Sequence, residues 1–144
     1  GTGPEESILR EQARGVSGIE FLGYQTGDAW EVALAGAKAL VVPSIWYENM
    51  PYVVLEALSR GKPVIATRIG GMPERIEDGV NGWLFEAGDV EGLVRAIQNL
   101  RRCPSPDTLA AAAYASVADA RPEAYYQALL QVYQGKPTDS TSSY

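Results

Sequence analysis

Residues 43–58 read PSIWYENMPYVVLEAL, and this stretch decides how the rest of the chain is interpreted. The apolar residues 39–42 come directly before it and predict a buried strand. Pro51 predicts a helix start, because proline suits the first helical turn. Two glutamates, Glu48 in the loop and Glu56 in the helix, have seven residues between them. A strand end, a loop, a helix start and two carboxylates are the parts of a site for a polar, anionic ligand.

Composition narrows the classes of protein. The chain has 144 residues, of which 46% are hydrophobic and 21% charged, as expected of one globular domain. Its net charge of −6 argues against nucleic-acid binding. Histidine is absent, which excludes a Ser-His-Asp triad and histidine metal ligands from this chain. Cys103 is the only cysteine, so no internal disulfide forms, as in a reducing compartment. No apolar run approaches the roughly 18 residues of a membrane span.

Strands and helices alternate along the sequence. Short apolar runs predict strands over residues 19–23, 39–42, 63–67 and 83–85. Helical periodicity and capping residues predict helices that end near 14 and 37, then over 51–60, briefly after 72, and over 89–102, 107–117 and 123–133. This alternation predicts an α/β fold with a parallel sheet and flanking helices. We expect one domain over residues 1–134 and a flexible tail over residues 135–144.

The helix of residues 51–60 has two different faces. Val54, Ala57 and Leu58 follow the i, i+3, i+4 spacing of core packing. Glu56 lies two positions after Val54, about 200° around the helix. We therefore expect the Glu56 side chain to point away from the core, on the same side as Tyr52.

Ligands of parallel α/β sheets bind at the carboxyl ends of the strands. The loops that follow Val42 and Thr67 are separated by a single helix, so we expect them to lie side by side. We interpret Trp46 and Tyr47, in the first of these loops, as packing residues. We interpret the three tyrosines near the end of the chain in the same way: Tyr125, Tyr126 and Tyr133.

The sequence resembles a known family in several places. The pattern Pro-Ser-x-x-x-Glu-x-x-Pro-x-x-x-Leu-Glu-Ala, from Pro43 to Ala57, is similar to the E-x7-E motif of retaining GT-B glycosyltransferases of the group-1 or GT4 type. Further segments resemble landmarks of that family, in its order and at its spacing: residues 1–4, 21–23, 61–67, 70–74 and 78–84. Two glutamates at this spacing are common by chance, whereas ordered landmarks over residues 1 to about 100 are specific.

The resemblance implies a binding site for a nucleotide-activated donor sugar. It makes Glu48 the catalytic carboxylate, beside the hydroxyls of the donor sugar. It places Asn49, Met50 and Pro51 along the same sugar.

The resemblance also assigns the nucleotide half of the donor. It places the main-chain amides of Tyr52 and Val53 at the diphosphate, where free amides and the helix dipole favour an anion. It places Glu56 at the ribose hydroxyls. It places Gly23 and Tyr24 near the base. It places Gly70 and Gly71 in a loop that permits close approach to the donor.

Each assignment has a structural alternative. Glu56 is able to pair with Arg60 at i+4, an interaction of a few tenths of a kcal/mol. Glu48 is a candidate cap for the helix that follows it. Gly70 and Gly71 are typical of a plain turn.

The resemblance implies a metal-independent enzyme with no cofactor besides its nucleotide-sugar substrate, and no Asp-x-Asp metal motif is present. It also implies an N-terminal acceptor-binding domain and, as the C-terminal half of a GT-B fold, a Rossmann-like sheet with two further strands before residues 1–4. The loop after the first of these strands would carry an Arg and a Lys that neutralise the diphosphate. We locate none of these parts within residues 1–144. We therefore expect the chain alone to be inactive and poorly stable, and the acceptor to be a glycan, a lipid or a small molecule bound by the missing domain.

Two other functions stay open. One is a non-catalytic nucleotide-sugar-binding module, and the other is a sugar-nucleotide epimerase of GT-B architecture. The sequence leaves open the sugar, the base and the acceptor. We expect a cytoplasmic protein, with peripheral attachment of the parent protein to the inner membrane left open.

Overall fold

A computed structural model describes residues 2–49 and 51–135. The chain divides into two compact units, residues 1–36 and residues 37–144, and each is described by itself. The single domain expected over residues 1–134 stays a prediction. Residues 136–144, most of the expected tail, lie outside the described residues.

The first unit contains two helices, α1 (Glu6–Gln12) and α2 (Gly27–Gly36). An ion pair between Arg10 and Glu6, 2.8 Å apart, supports α1 at i, i+4 spacing. The chain turns after α1 at Gly15, whose φ of +77° is a left-handed conformation that glycine adopts without strain. The helix expected to end near residue 14 is therefore confirmed in type and approximate extent.

The strand predicted over residues 19–23 is wrong, because this segment has no strand conformation in the structure. Ile19 and Leu22 are about half exposed, at 54% and 50%. A strand exists only through hydrogen bonds to a neighbouring strand. The apolar run indicates a strand, but it does not identify a neighbouring strand with which this segment would form hydrogen bonds.

The second unit is built on a parallel sheet of three described strands in the order β1-β2-β3. The strands are β1 (Leu40–Val42), β2 (Val64–Thr67) and β3 (Gly82–Phe85). Leu40 is opposite Val64, and Ile65 is opposite Trp83. The helices are α3 (Tyr52–Leu58), α4 (Met72–Arg75), α5 (Val90–Arg102), α6 (Pro106–Ala115) and α7 (Pro122–Tyr133). Because α3 and α4 connect parallel neighbours, the predicted Rossmann-like α/β fold is confirmed.

Burial across the sheet follows strand position. Every residue of the central strand β2 is buried. In β1, by contrast, Val41 is 41% exposed. The prediction that residues 39–42 form a buried strand is therefore wrong in burial, because β1 lies at the edge of the described sheet.

The core lies between the sheet and its helices. Val54, Ala57 and Leu58 of α3 are completely buried, which confirms the predicted apolar face. On α5, Ala96 packs in a cluster with Ile65 and Phe85 of the sheet. The Asp89 side chain caps α5 by accepting a hydrogen bond from the Gly92 amide, 2.9 Å away.

We predict that Val54→Ala lowers the free energy of unfolding by about 2 kcal/mol, because two buried methyl groups are lost and a cavity remains. Val94→Ala, on α5, is the matched control, since the Val94 side chain is 47% exposed. Urea denaturation of both variants measures the difference. Equal losses for the two valines would contradict the assigned core.

Candidate functional site

The loops after β1 and β2 meet at the carboxyl edge of the sheet. Thr67 is the last residue of β2, and its hydroxyl donates a hydrogen bond to the main-chain carbonyl of Ser44, 2.6 Å away and 23 positions earlier. The expectation that these two loops lie side by side is confirmed. Parallel pairing of β1 with β2 is the cause, since it brings both strand ends to one edge.

A second contact between the loops holds the backbone of Glu48. The Gly71 amide donates to the Glu48 carbonyl at 3.0 Å. Gly70 has a φ of +56°, and a Cβ at this position would overlap the same carbonyl oxygen. Gly70 and Gly71 therefore do more than form a plain turn, because they permit a close approach of two backbones. Their approach to a donor stays a prediction.

The Glu48 carboxylate is directed by its own loop. The Ser44 hydroxyl donates to Glu48 Oε1 at 3.3 Å. The N-cap of α3 is Pro51, whose side chain makes no capping hydrogen bond. Glu48 is therefore not the N-cap residue of this helix.

Glu48 borders a concavity of about 360 Å³. Six described residues line it: Tyr47, Glu48, Asn49, Gly70, Gly71 and Glu74. The structure thus brings together four of the predicted site residues, from two loops.

Two residues that line this concavity, Tyr47 and Glu74, were not predicted as site residues from the sequence. Tyr47 is 88% exposed and Trp46 is 73% exposed, so the interpretation of both as packing residues is wrong. Glu74 follows the Gly70-Gly71 turn, and its amide donates to the Gly71 carbonyl at 3.2 Å. The signal for Glu74 was its place in a landmark segment already adjoining the site.

Tyr125, Tyr126 and Tyr133 are also more than half exposed, which contradicts the packing interpretation for them.

The concavity favours hydroxyl groups over anions. Two carboxylates and the Asn49 amide line it, and no Lys or Arg is among its described lining residues. The nearby arginines are engaged elsewhere: Arg68 pairs with Asp78 at 2.9 Å, and Arg75 pairs with Asp119 at 2.8 Å. Ionised carboxylates only accept hydrogen bonds, so they suit the O–H donors of a polyol.

The start of α3 offers groups of the opposite kind. Pro51 has an extended backbone (φ −67°, ψ 125°) and no N–H to donate. The first amides of a helix, here those of Tyr52 and Val53, have no intrahelical acceptor. The Tyr52 residue itself is 83% exposed.

Glu56 is exposed on α3, as predicted from its angle to Val54. It lines a separate concavity of about 320 Å³ with Tyr52 and with Arg121 of the connection between α6 and α7. Arg60 donates to the main-chain carbonyl of Glu56 at 3.0 Å. Glu48 and Glu56 thus border different concavities.

The remaining predicted site residues lie in the first unit or outside the described residues. Gly23 has a φ of +71°, and Tyr24 is 75% exposed. Both belong to the first unit, so their role near a base stays a prediction. Met50 lies outside the described residues.

Residues 2–49 and 51–135 hold no group of three or more His, Cys, Asp or Glu side chains arranged to bind a metal ion. None of the helices in this part of the chain is long and apolar enough to cross a membrane. The expectation of a metal-independent protein without a cofactor stays a prediction.

The fold and the site define a Rossmann-like α/β unit, with carboxylates and helix amides at the carboxyl edge of a parallel sheet. Residues 1–102 match the family described as glycosyl transferases group 1. The chain therefore belongs to the group-1 glycosyltransferases, as the E-x7-E motif and its neighbouring landmarks indicated.

Relatives of known name support this membership. The chain is 39% identical over 103 residues to the sulfoquinovosyl transferase SQD2 of Arabidopsis thaliana, which covers 69% of this chain and 20% of that protein. It is 35% identical over 100 residues to a glycogen synthase of Thermus thermophilus, covering 69% of this chain and 23% of the relative. The chain thus spans about a fifth of the length of these relatives.

Solved structures share the fold. Sucrose-phosphate synthase from Thermosynechococcus elongatus superposes with a TM-score of 0.77 at 27% identity, covering 91% of this chain and 33% of that one. Anabaena Alr3699/HepE, solved in complex with UDP-glucose, gives a TM-score of 0.75 at 26% identity, covering 92% and 38%.

We predict that Gly70→Ala destabilises the protein by about 3 kcal/mol or more, because it combines left-handed strain with an overlap against the Glu48 carbonyl. Gly79→Ala is the matched control, since Gly79 has a φ of +79° but open space around its Cβ. This control has a cost of about 1 kcal/mol from strain alone. Urea denaturation compares the two, and similar losses would show that the Gly70 contact is dispensable.

Proposed function

We propose that this chain is the donor-binding part of a retaining glycosyltransferase. The parent enzyme would move a sugar from a nucleotide-diphosphate donor to an acceptor hydroxyl. The observation that carries the proposal is the arrangement at the sheet edge, where Glu48 and Asn49, in the loop directly before α3, line a concavity with Gly70, Gly71 and Glu74. The similarity to a protein solved with UDP-glucose supports the same ligand class.

The sugar half of the donor is assigned to the concavity at Glu48. Its carboxylate would accept hydrogen bonds from the sugar hydroxyls and stabilise positive charge that develops at the anomeric carbon. Asn49, Met50 and Pro51 would border the same sugar. We also assign Gly70 and Gly71 to this side of the donor, since they line the concavity with Glu48.

The nucleotide half is assigned to the α3 start and its exposed face. The amides of Tyr52 and Val53 would bind the diphosphate, Glu56 would accept hydrogen bonds from the ribose hydroxyls, and Gly23 and Tyr24 would lie near the base. In the reaction, the bond between the anomeric carbon and the diphosphate oxygen breaks, and a bond to the acceptor oxygen forms. The acceptor proton leaves with the nucleoside diphosphate. Amides at the diphosphate favour this step, because they stabilise the charge that develops on the leaving group.

We also make three proposals about the parent protein, on its cofactors, its location and its acceptor. It would act without a metal or cofactor, in the cytoplasm, with the acceptor bound outside this chain. The chain alone would not catalyse transfer, since it spans about a fifth of its enzyme relatives and the acceptor wall is assigned to the remainder.

We predict that Glu48→Gln in the full-length parent protein lowers kcat by about 100-fold, because the charged partner of the sugar is lost. Hydrolysis and transfer assays with UDP-, GDP- and ADP-glucose measure this effect. Glu77→Gln is the control, since its exposed side chain lines neither concavity of the site. An unchanged kcat for Glu48→Gln would contradict its catalytic role, and an epimerised donor without transfer would favour the epimerase.

We predict that Glu56→Gln weakens donor binding about tenfold, since hydrogen bonds to a charged carboxylate are stronger than those to an amide. Titration calorimetry with the same donors measures the dissociation constant. Unaltered affinity in this variant would remove Glu56 from the ribose.

A further inference from the structure

We propose that Ser44 and Thr67 are positioning residues for the Glu48 carboxylate, and this inference rests on the proposed function of Glu48. Neither residue was assigned a role by its sequence. Together they connect the end of the central strand with the carboxylate, through two hydrogen bonds.

The first of the two hydrogen bonds is made by Thr67, a buried residue. Thr67 ends β2, the strand that is buried along its whole length, and the residue itself is 1% exposed. Its hydroxyl donates to the Ser44 carbonyl at 2.6 Å, within the usual range for an O–H···O bond. A buried hydroxyl needs a partner, so this bond couples the position of Ser44 to the core.

The next contact reaches the carboxylate. Ser44 is half-buried, and its hydroxyl donates to Glu48 Oε1 at 3.3 Å. Glu48 is exposed, and an exposed glutamate side chain has three rotatable bonds to restrict. The contact with the Ser44 hydroxyl is longer than the usual O–H···O bond of about 2.5–3.0 Å, and it favours one orientation of that carboxylate.

The backbone of Glu48 is held independently. Gly71 donates to its carbonyl at 3.0 Å, and Gly70 lies against the same oxygen. The Glu48 backbone is thus held by the loop after β2. Its carboxylate is oriented by Ser44, which Thr67 holds in place. Two constraints of separate origin define where a sugar hydroxyl would meet the carboxylate.

The removal of a positioning group affects the chemical step more than binding. The diphosphate and ribose are assigned to α3, so donor affinity depends little on the carboxylate orientation. A misplacement of about 1 Å is enough to slow a reaction by as much as 100-fold. A merely structural role for Thr67 would instead lower stability and alter kcat and KM together.

The test uses the full-length parent protein and the donor that it hydrolyses or transfers. Thr67→Val removes the hydroxyl and keeps the shape, and we expect kcat to fall about tenfold with KM within twofold of wild type. Ser44→Ala should behave alike. Thr67→Ser and Ser44→Thr retain a hydroxyl and should restore most of the rate. Ser116→Ala is the matched control, because it removes a hydroxyl bound to the Ala113 carbonyl at 2.8 Å, away from Glu48.

A double-mutant cycle makes the test specific. In a Glu48→Ala background, Thr67→Val should cause no further loss of kcat, because there is no carboxylate left to position. An additive loss would overturn the inference, as would a wild-type kcat for Thr67→Val alone. A melting temperature measured for each variant separates both outcomes from unfolding. If the parent protein neither hydrolyses nor transfers any nucleotide sugar, the proposed function itself fails. If Glu48→Gln is defective and Thr67→Val is not, only the positioning role fails.

Discussion

The parallel pairing of β1 with β2 is the constraint on which the site depends. It sends both strands in one direction, so the loops that leave them meet although Thr67 and Ser44 are 23 positions apart. The pairing in turn depends on α3, which crosses between the strands and buries Val54, Ala57 and Leu58 completely. The same helix therefore closes the core on one face and presents its start and Glu56 to solvent. Structure and site use different faces of one short element.

The concavity at Glu48 and the start of α3 have complementary chemistry. The concavity at Glu48 is lined by carboxylates without a described cation, so it suits neutral hydroxyl groups. The amides at the helix start suit an anion. A ligand with a polyol at one end and a phosphate group in the middle would satisfy both. This arrangement agrees with membership in the group-1 glycosyltransferases.

Local sequence was a sufficient guide where the determining interaction is itself local. The exposed position of Glu56 followed from its angle to Val54, and the cap of α5 followed from Asp89. Local sequence was a poor guide to strand formation and burial, because these depend on another segment that packs against the residue. Residues 19–23 have the apolar content of a strand but no strand conformation, and Val41 is exposed although its strand is apolar. Trp46 and Tyr47 have the composition of packing residues, yet nothing in their spacing states whether a surface covers them.

The sequence by itself determined the class of the protein, because the ordered landmarks around Glu48 and Glu56 need no distance to be recognised. It also determined the helical face of Glu56, because helix geometry is the same in every context. Only the tertiary structure decided that the Gly70-Gly71 turn lies against the Glu48 backbone, and that Glu74 and Tyr47 share its concavity. These contacts join residues more than 20 positions apart. Their geometry depends on strand pairing and on the fit of one backbone against another, neither of which a linear pattern specifies.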